Sequence, residues 1–397
     1  MSLANGRHYL AIPGPSVMPD RVLAAMHRAA PNIYEGELVE SVATVRQDLK
    51  WLAGSSSNLA IYITNGHGAW EAANMNMFSR GDKALVLVTG RFGVGWAAAA
   101  RQIGVEVEVL DFGLKSPIDP ARVEEALRAD PSIRAVLMTH VDTATSVRND
   151  VRAVRGAIDA AGHDALLAVD AVASFGCDPF EFDGWGVDVM ISASQKGLMT
   201  PPGLGLVWFS DKAKEAPRTD LVTPMWDWGP RTDFSFFYEQ FAGTAPTHLL
   251  LGLREALTMI REEGREAVFD RHDALAHTVW AAFDAWSLGN PNIGLNVADP
   301  AFRARAVTAA RFGAPHGTAI RAWTEKNAGV ILGIGLGMAE PTDPAYHGFL
   351  RVAHMGHVNA HMTLGVLAVM EAAMKALDIP HGDGALAAAA QVVADRA

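Results

Sequence analysis

The chain has 397 residues, half of them apolar, a formal net charge of −11 and one cysteine, Cys177. That length suits two lobes better than one minimal core; the basic residues are scattered, which argues against a nucleic-acid partner; and a lone cysteine excludes an internal disulfide. No run reaches the roughly 20 apolar residues a membrane-spanning helix needs, and the first residues lack the apolar core of a signal peptide, so a cytoplasmic protein with no membrane partner is expected.

In chain order, Leu59–Thr64 reads as a strand and Gly68–Phe78 as a helix, Ala84–Thr89 as a strand and Gly95–Ile103 as a helix. Val105–Leu110 and Pro120–Ala129 repeat the pair, as do Ala135–Thr139 and Val151–Ala161. Leu166–Val169, Val187–Ser192 and Leu204–Phe209 complete the set of strands. Continuously apolar strands between amphipathic helices predict an α/β fold with a mostly parallel sheet sandwiched by helices. Pro217–Pro246 is an irregular stretch rich in aromatic residues and proline, of a length more often functional than idle. A helix over Thr247–Glu263 follows. Beyond it a smaller α+β lobe is predicted, with strands around Ala319–Trp323, Val330–Ile334 and Leu350–Val352 and a helix to Leu377. The expected division is an N-terminal segment (1–20), a large domain (21–263) and a small C-terminal domain (264–397), with the N-terminal segment returning to the small lobe.

In parallel sheets of this kind ligands sit beyond the carboxyl ends of the strands. Two strand ends carry chemistry. Ile191-Ser192-Ala193-Ser194-Gln195-Lys196-Gly197 delivers a lysine from an apolar strand into a turn of small residues. Desolvation lowers a lysine's pKa and makes its amine a nucleophile for carbonyl compounds; the plain alternative is a lysine that snorkels to water. Leu166-Leu167-Ala168-Val169-Asp170 places a carboxylate at another strand end, where a turn cap is the plain alternative. A third signal is Thr64-Asn65-Gly66-His67-Gly68, a glycine-rich turn entering a helix, which can present backbone N–H groups to a phosphate.

The order of phosphate turn, strand-end aspartate and strand-end lysine, with Asp170-Ala171-Val172-Ala173-Ser174 and Ser194-Gln195-Lys196-Gly197 through Pro201-Pro202-Gly203, closely resembles the class V aminotransferases of the alanine–glyoxylate and serine–glyoxylate type. The likeness runs from Ile12-Pro13-Gly14-Pro15-Ser16 to Arg351-Val352-Ala353-His354-Met355-Gly356. It implies fold type I of the pyridoxal-5′-phosphate enzymes, a homodimer, and small amino-acid and 2-oxo-acid substrates. By the same resemblance Lys196 forms the Schiff base and moves the substrate proton, Asp170 faces the pyridine nitrogen, and Val172 and Phe92 pack on the ring, Phe92 where the family more often has tryptophan. Gly66, His67 and Gln195 match the family's cofactor-binding positions, Thr143 the hydroxyl at the ring oxygen, and Thr244 a threonine lent to the partner subunit's phosphate. Arg351 matches the carboxylate clamp, a role suited to its planar fork of donors. Phe241 stands where the family has a tyrosine, Thr145-Ser146 replaces Thr-Gly, and the family's His-Arg pair near Ala29-Ala30 is missing.

Weaker signals remain. His354, His357 and His361 invite a zinc reading, set against by Gly356 and the lack of a further ligand. His140 and Asp142 are expected to line the active site. Gly333-Ile334-Gly335-Leu336-Gly337 is read as a flexible or substrate-side turn, and Cys177 as a structural cysteine. Arg231 is the one candidate for a second carboxylate site, with a surface arginine favoured instead. With a single clamp, small monocarboxylic oxo acids such as glyoxylate or pyruvate are the expected acceptors. The rivals are a lyase or desulfurase of the same fold, a pyridoxamine–pyruvate aminotransferase, and a non-catalytic binding protein.

Overall fold

The structure, a computed structural model, describes residues 3–217 and 219–396. Strand β1 (Tyr9–Ala11) opens the chain, and β2 (Asn58–Thr64) begins the large sheet. It is followed by β3 (Lys83–Val88), β4 (Glu106–Asp111), β5 (Ile133–Thr139), β6 (Leu166–Asp170), β7 (Val189–Ala193) and β8 (Gly203–Phe209). These seven strands lie in the order β2-β8-β7-β6-β5-β3-β4, and β8 alone runs against its neighbours. Both faces of the sheet are packed. In β6, Leu167 and Val169 join one apolar cluster while Leu166 and Ala168 join the other, which is why the strand reads as continuously apolar. Helices α1 (Gly66–Met77) and α2 (Arg91–Gln102) follow β2 and β3 directly.

Helices α3 (Thr247–Glu263) and α4 (Arg265–Gly289) lead to a second sheet. Its strands are β9 (Gly294–Leu295), β10 (Val307–Arg311), β11 (Val330–Ile334) and β12 (Phe349–Ala353), and the order is β1-β11-β12-β10-β9. The N-terminal segment therefore does return here, as β1 pairs in parallel with β11.

The strand expected around Ala319–Trp323 is a helix, α5 (His316–Ala328). Its buried positions Gly317, Ile320 and Thr324 are spaced by three and four residues, and Gly329 ends it in the left-handed conformation.

The aromatic stretch is packed down on the large sheet. Trp228 stacks on Phe209 with ring centroids 4.3 Å apart, and Tyr62 Oη–H donates to the carbonyl of Trp226. Arg231 is not a surface residue: it is 1% exposed, lies over the Tyr62 ring and donates to the carbonyls of Ile61, Gln240 and Met225. Two of these acceptors, the Gln240 and Met225 carbonyls, belong to an irregular segment that has no ladder of its own. Among the described residues no helix is long and apolar enough to cross a membrane.

Candidate active site

Strand β6 ends at Asp170, opposite Ile191 of neighbouring β7, and Lys196 follows three residues beyond the end of β7. The two groups thus reach the same carboxyl-terminal edge of the sheet from adjacent strands. Gly66, His67, Phe92, Thr143, Asp170, Val172, Gln195, Lys196 and Arg351 all line one cavity of about 250 Å³. Thr244 does not; it is exposed, just before α3.

Asp170 is buried, and both its oxygens are held. Oδ1 accepts from the Val172 N–H at 2.8 Å and Oδ2 from the Trp70 indole N–H at 2.8 Å. Burial nonetheless pushes its pKa up to about 6, against the pull of these donors. Trp70 is fixed in turn by stacking on Trp96, with centroids 6.1 Å apart, and Trp96 donates to Asn74 Oδ1. Trp70 was not among the expected site residues. Its place on the face of α1 that carries Gly66 and His67 is the signal that could have identified it.

Lys196 is part-buried, and its ammonium group lies against the Pro13 carbonyl. Burial lowers its pKa to about 8, with the nearby Arg351 charge acting in the same direction. Ser16 Oγ–H donates to the Lys196 carbonyl at 2.7 Å, so the segment after β1 covers the lysine turn. Pro13 and Gly14 line the cavity as a result, and nothing local in the sequence marks them.

Arg351, on β12, is buried and donates through Nε to the Ile334 carbonyl and through Nη1 to the Thr143 carbonyl, at 2.7 and 2.9 Å. The side chain also lines the cavity. Asp142 does not line the cavity as expected. Its Oδ2 accepts from Phe92 N and Gly93 N at 2.8 and 3.3 Å, capping α2 and fixing the Phe92 ring at the cavity wall. His140 also lies behind the wall, paired with Ser174 Oγ and packed on Phe180 and Trp185; burial pushes its pKa down to about 3. The chain alternates here, and Val141 and Thr143 are the residues that face in.

At the glycine-rich turn, Asn65 Oδ1 accepts from His67 N and Gly68 N, at 3.0 and 3.4 Å. The first N–H groups of α1 therefore have an acceptor within the chain. Leu336, in the turn between Gly335 and Gly337, also lines the cavity, the substrate-side one of the two readings of that turn. Cys177 is buried, and burial pushes its thiol up to about 12, away from the thiolate form. His354 bonds Thr308 and the Arg305 carbonyl, away from His361 on the next helix, and no group of His, Cys, Asp and Glu among the described residues could hold a metal ion.

The family model for "Aminotransferase class-V" matches residues 8–360. The chain is 35% identical over 395 residues to the serine–glyoxylate aminotransferase of Methylorubrum extorquens, covering 96% of this chain and 95% of that protein. It is 34% identical over 398 residues to the L-aspartate–glyoxylate aminotransferase of Paracoccus denitrificans, covering 96% and 94%. Among solved structures, pyridoxamine–pyruvate aminotransferase from Mesorhizobium loti superposes with a TM-score of 0.88 over the full length of both chains at 24% identity. The ureidoglycine–glyoxylate aminotransferase of Bacillus subtilis gives 0.87 over 99% and 100% at 22% identity. The chain belongs to the class V aminotransferases and is a pyridoxal-5′-phosphate-dependent enzyme.

Proposed function

We propose that the enzyme moves the amino group of a small amino acid to a small 2-oxo acid, glyoxylate first, in the cavity bounded by Asp170, Lys196 and Arg351. The observation that carries this reading is the joining of a carboxylate and a lysine from adjacent strand ends with an arginine from the other sheet around one cavity. The cavity fits the cofactor. Asp170 is a buried carboxylate to which no cation among the described residues is bonded. At Gly66 an added Cβ would come within 3.0 Å of Val172 Cγ2, so a larger residue would crowd the space over the ring position.

Asp170 and Val172 would hold the ring's nitrogen and one face, Phe92 the other face, Thr143 the ring oxygen, and Gly66, His67 and Gln195 the phosphate side. When bound, the cofactor supplies an electron sink for the electrons released at the substrate Cα. The chain's own residues do the rest. Arg351 fixes the α-carboxylate and thereby the angle at which Cα meets Lys196. Lys196, with its amine lowered to about 8, takes the Cα proton and returns it one position away. Asp170, held as an anion by the Trp70 and Val172 N–H groups, keeps a proton on the ring nitrogen.

Mixing enzyme with donor amino acid alone tests the reading. Stoichiometric conversion of the cofactor to its amine form, with release of the 2-oxo acid, is expected; steady turnover without any oxo-acid acceptor points to a lyase. Conversion by free pyridoxamine in place of an amino acid points to the pyridoxamine–pyruvate reaction. The same reading includes a cytoplasmic homodimer, the division at residues 20 and 263, and Thr244 as a phosphate ligand for the partner subunit. Mixed Thr244→Ala and Lys196→Ala subunits should regain activity as hybrids; no recovery despite proven subunit exchange would place Thr244 outside the neighbour's site.

A further inference from the structure

Ser146 lies outside the cavity wall, yet its backbone is held where a side chain is unfavourable. Its φ is +58°, in the left-handed region that glycine takes freely and other residues take only at a cost. The sequence resemblance calls for glycine here, so the serine hydroxyl is an addition of this chain. The residue is also buried. A strained residue kept in a buried turn points to something its side chain does there.

The turn is closed by the Ser146 N–H, which donates to the Asp142 carbonyl at 2.8 Å. Ser146 Oγ accepts from the Ala309 N–H at 3.1 Å, and the Ser146 carbonyl accepts from the Ala304 N–H at 3.1 Å. Ala309 sits in the middle of β10 and is the register partner of Arg351 on β12. The edge strand β9 ends at Leu295, paired with Ala310, so the buried Ala309 N–H finds its acceptor in Ser146 where that ladder stops. Three residues before Ser146, the Thr143 carbonyl accepts from Arg351 Nη1 at 2.9 Å. The Thr143–Ser146 turn thus meets the β10–β12 pair at two points, one on Arg351 itself and one on the residue directly across the ladder. With the first bond alone the small sheet could still tilt about that point; the second, on the neighbouring strand, opposes the tilt. The turn is anchored in the large lobe as well, since Thr145 Oγ–H donates to the Thr89 carbonyl at 2.9 Å and the Asp142 carboxylate caps α2.

We infer that Ser146 is a positioning residue for Arg351: its hydroxyl sets the place of the β10–β12 pair over the turn, and so the place at which the guanidinium meets a substrate's α-carboxylate. The role of Arg351 as the clamp rests on the aminotransferase reading.

Two variants test it. Ser146→Gly removes the hydroxyl and relieves the left-handed strain, whereas Ser146→Ala removes the hydroxyl and keeps the strain. Glycolate, which has a carboxylate for the clamp and no oxo group to receive an amine, is the binding probe, followed by calorimetry on the cofactor-loaded enzyme. Both variants should lose about five- to tenfold in glycolate affinity and raise KM for glyoxylate by a similar factor, with kcat and the cofactor dissociation constant within about twofold of wild type. A residue that serves stability alone would lower Tm and leave KM unmoved. In an Arg351→Ala background Ser146→Gly should change kcat/KM for glyoxylate by no more than about twofold, because the group it positions is gone. Unaltered glycolate affinity and KM in Ser146→Gly, or equal losses with and without Arg351, overturn the assignment. A loss in Ser146→Ala alone overturns it too, since it traces to the backbone. If glycolate binding depends on Ser146 and Arg351 but wild type transfers no amino group, the positioning stands and the aminotransferase reading falls. If wild type transfers amino groups and Ser146→Gly changes nothing, the reverse holds.

Discussion

Asp170 ends one strand of the seven-stranded sheet and Lys196 follows the end of its neighbour, whereas Arg351 comes from the five-stranded sheet and reaches the cavity across the boundary. The first two are set by strand register and by partners close at hand. Arg351 is tied across the boundary by one bond from Nη1 to the Thr143 carbonyl, while its Nε stays bonded within its own sheet. On the proposed reading, the residues that would hold the ring of the cofactor are built on the large sheet, and the arginine that would take the substrate's α-carboxylate on the small one. Damage to the first should weaken cofactor and chemistry together; damage to the second should weaken substrate use and leave the cofactor in place.

Lys196→Ala tests the first side most severely. Turnover should fall by about a thousandfold or more, and borohydride should no longer fix the cofactor to the chain; a reduced label on another lysine of the wild type would remove Lys196 from its role. Asp170→Ala should keep some cofactor and lose about a hundredfold or more in rate, as measured by single-turnover kinetics. Arg351→Ala tests the other side. Loss of a buried charge partner is worth about 2–5 kcal/mol, so kcat/KM for amino acids should drop by a corresponding factor while cofactor affinity changes little. Because the Arg351 charge helps to lower the Lys196 pKa, removing it should also move the pH at which the lysine of the apoenzyme reacts with aldehydes upward from about 8. Trp70→Phe should have the smallest effect, about tenfold in rate, from loss of one hydrogen bond to a charged group. The indole N–H lowers the Asp170 pKa, so its removal should shift the acidic limb of the pH–rate profile to higher pH; an unmoved limb would make Trp70 a packing residue only.

The same division explains what could be read from the sequence. Asp170 and Lys196 were legible because one ends and the other closely follows an apolar run, and such a run reports a strand covered on both faces. Trp70 was not, because its partner lies 100 residues away and an indole in a helix reads first as core. Arg231 was misjudged because an irregular segment has no period from which burial can be inferred; its neighbours are carbonyls from three separate places. Asp142 was misplaced by one position of alternation, which turned a helix cap into an expected wall residue.

Strand β1 carries a further consequence. Tyr9 pairs with Val330, more than 300 residues on, and the segment just after β1 lies over Lys196. During synthesis the early-made strand has no edge to join until β11 has emerged, long after the large sheet can form. While the chain is being made, the segment that covers the lysine turn through Pro13 and Ser16 therefore cannot be anchored on the small sheet, and a bulky tag fused next to β1 should weaken that anchoring.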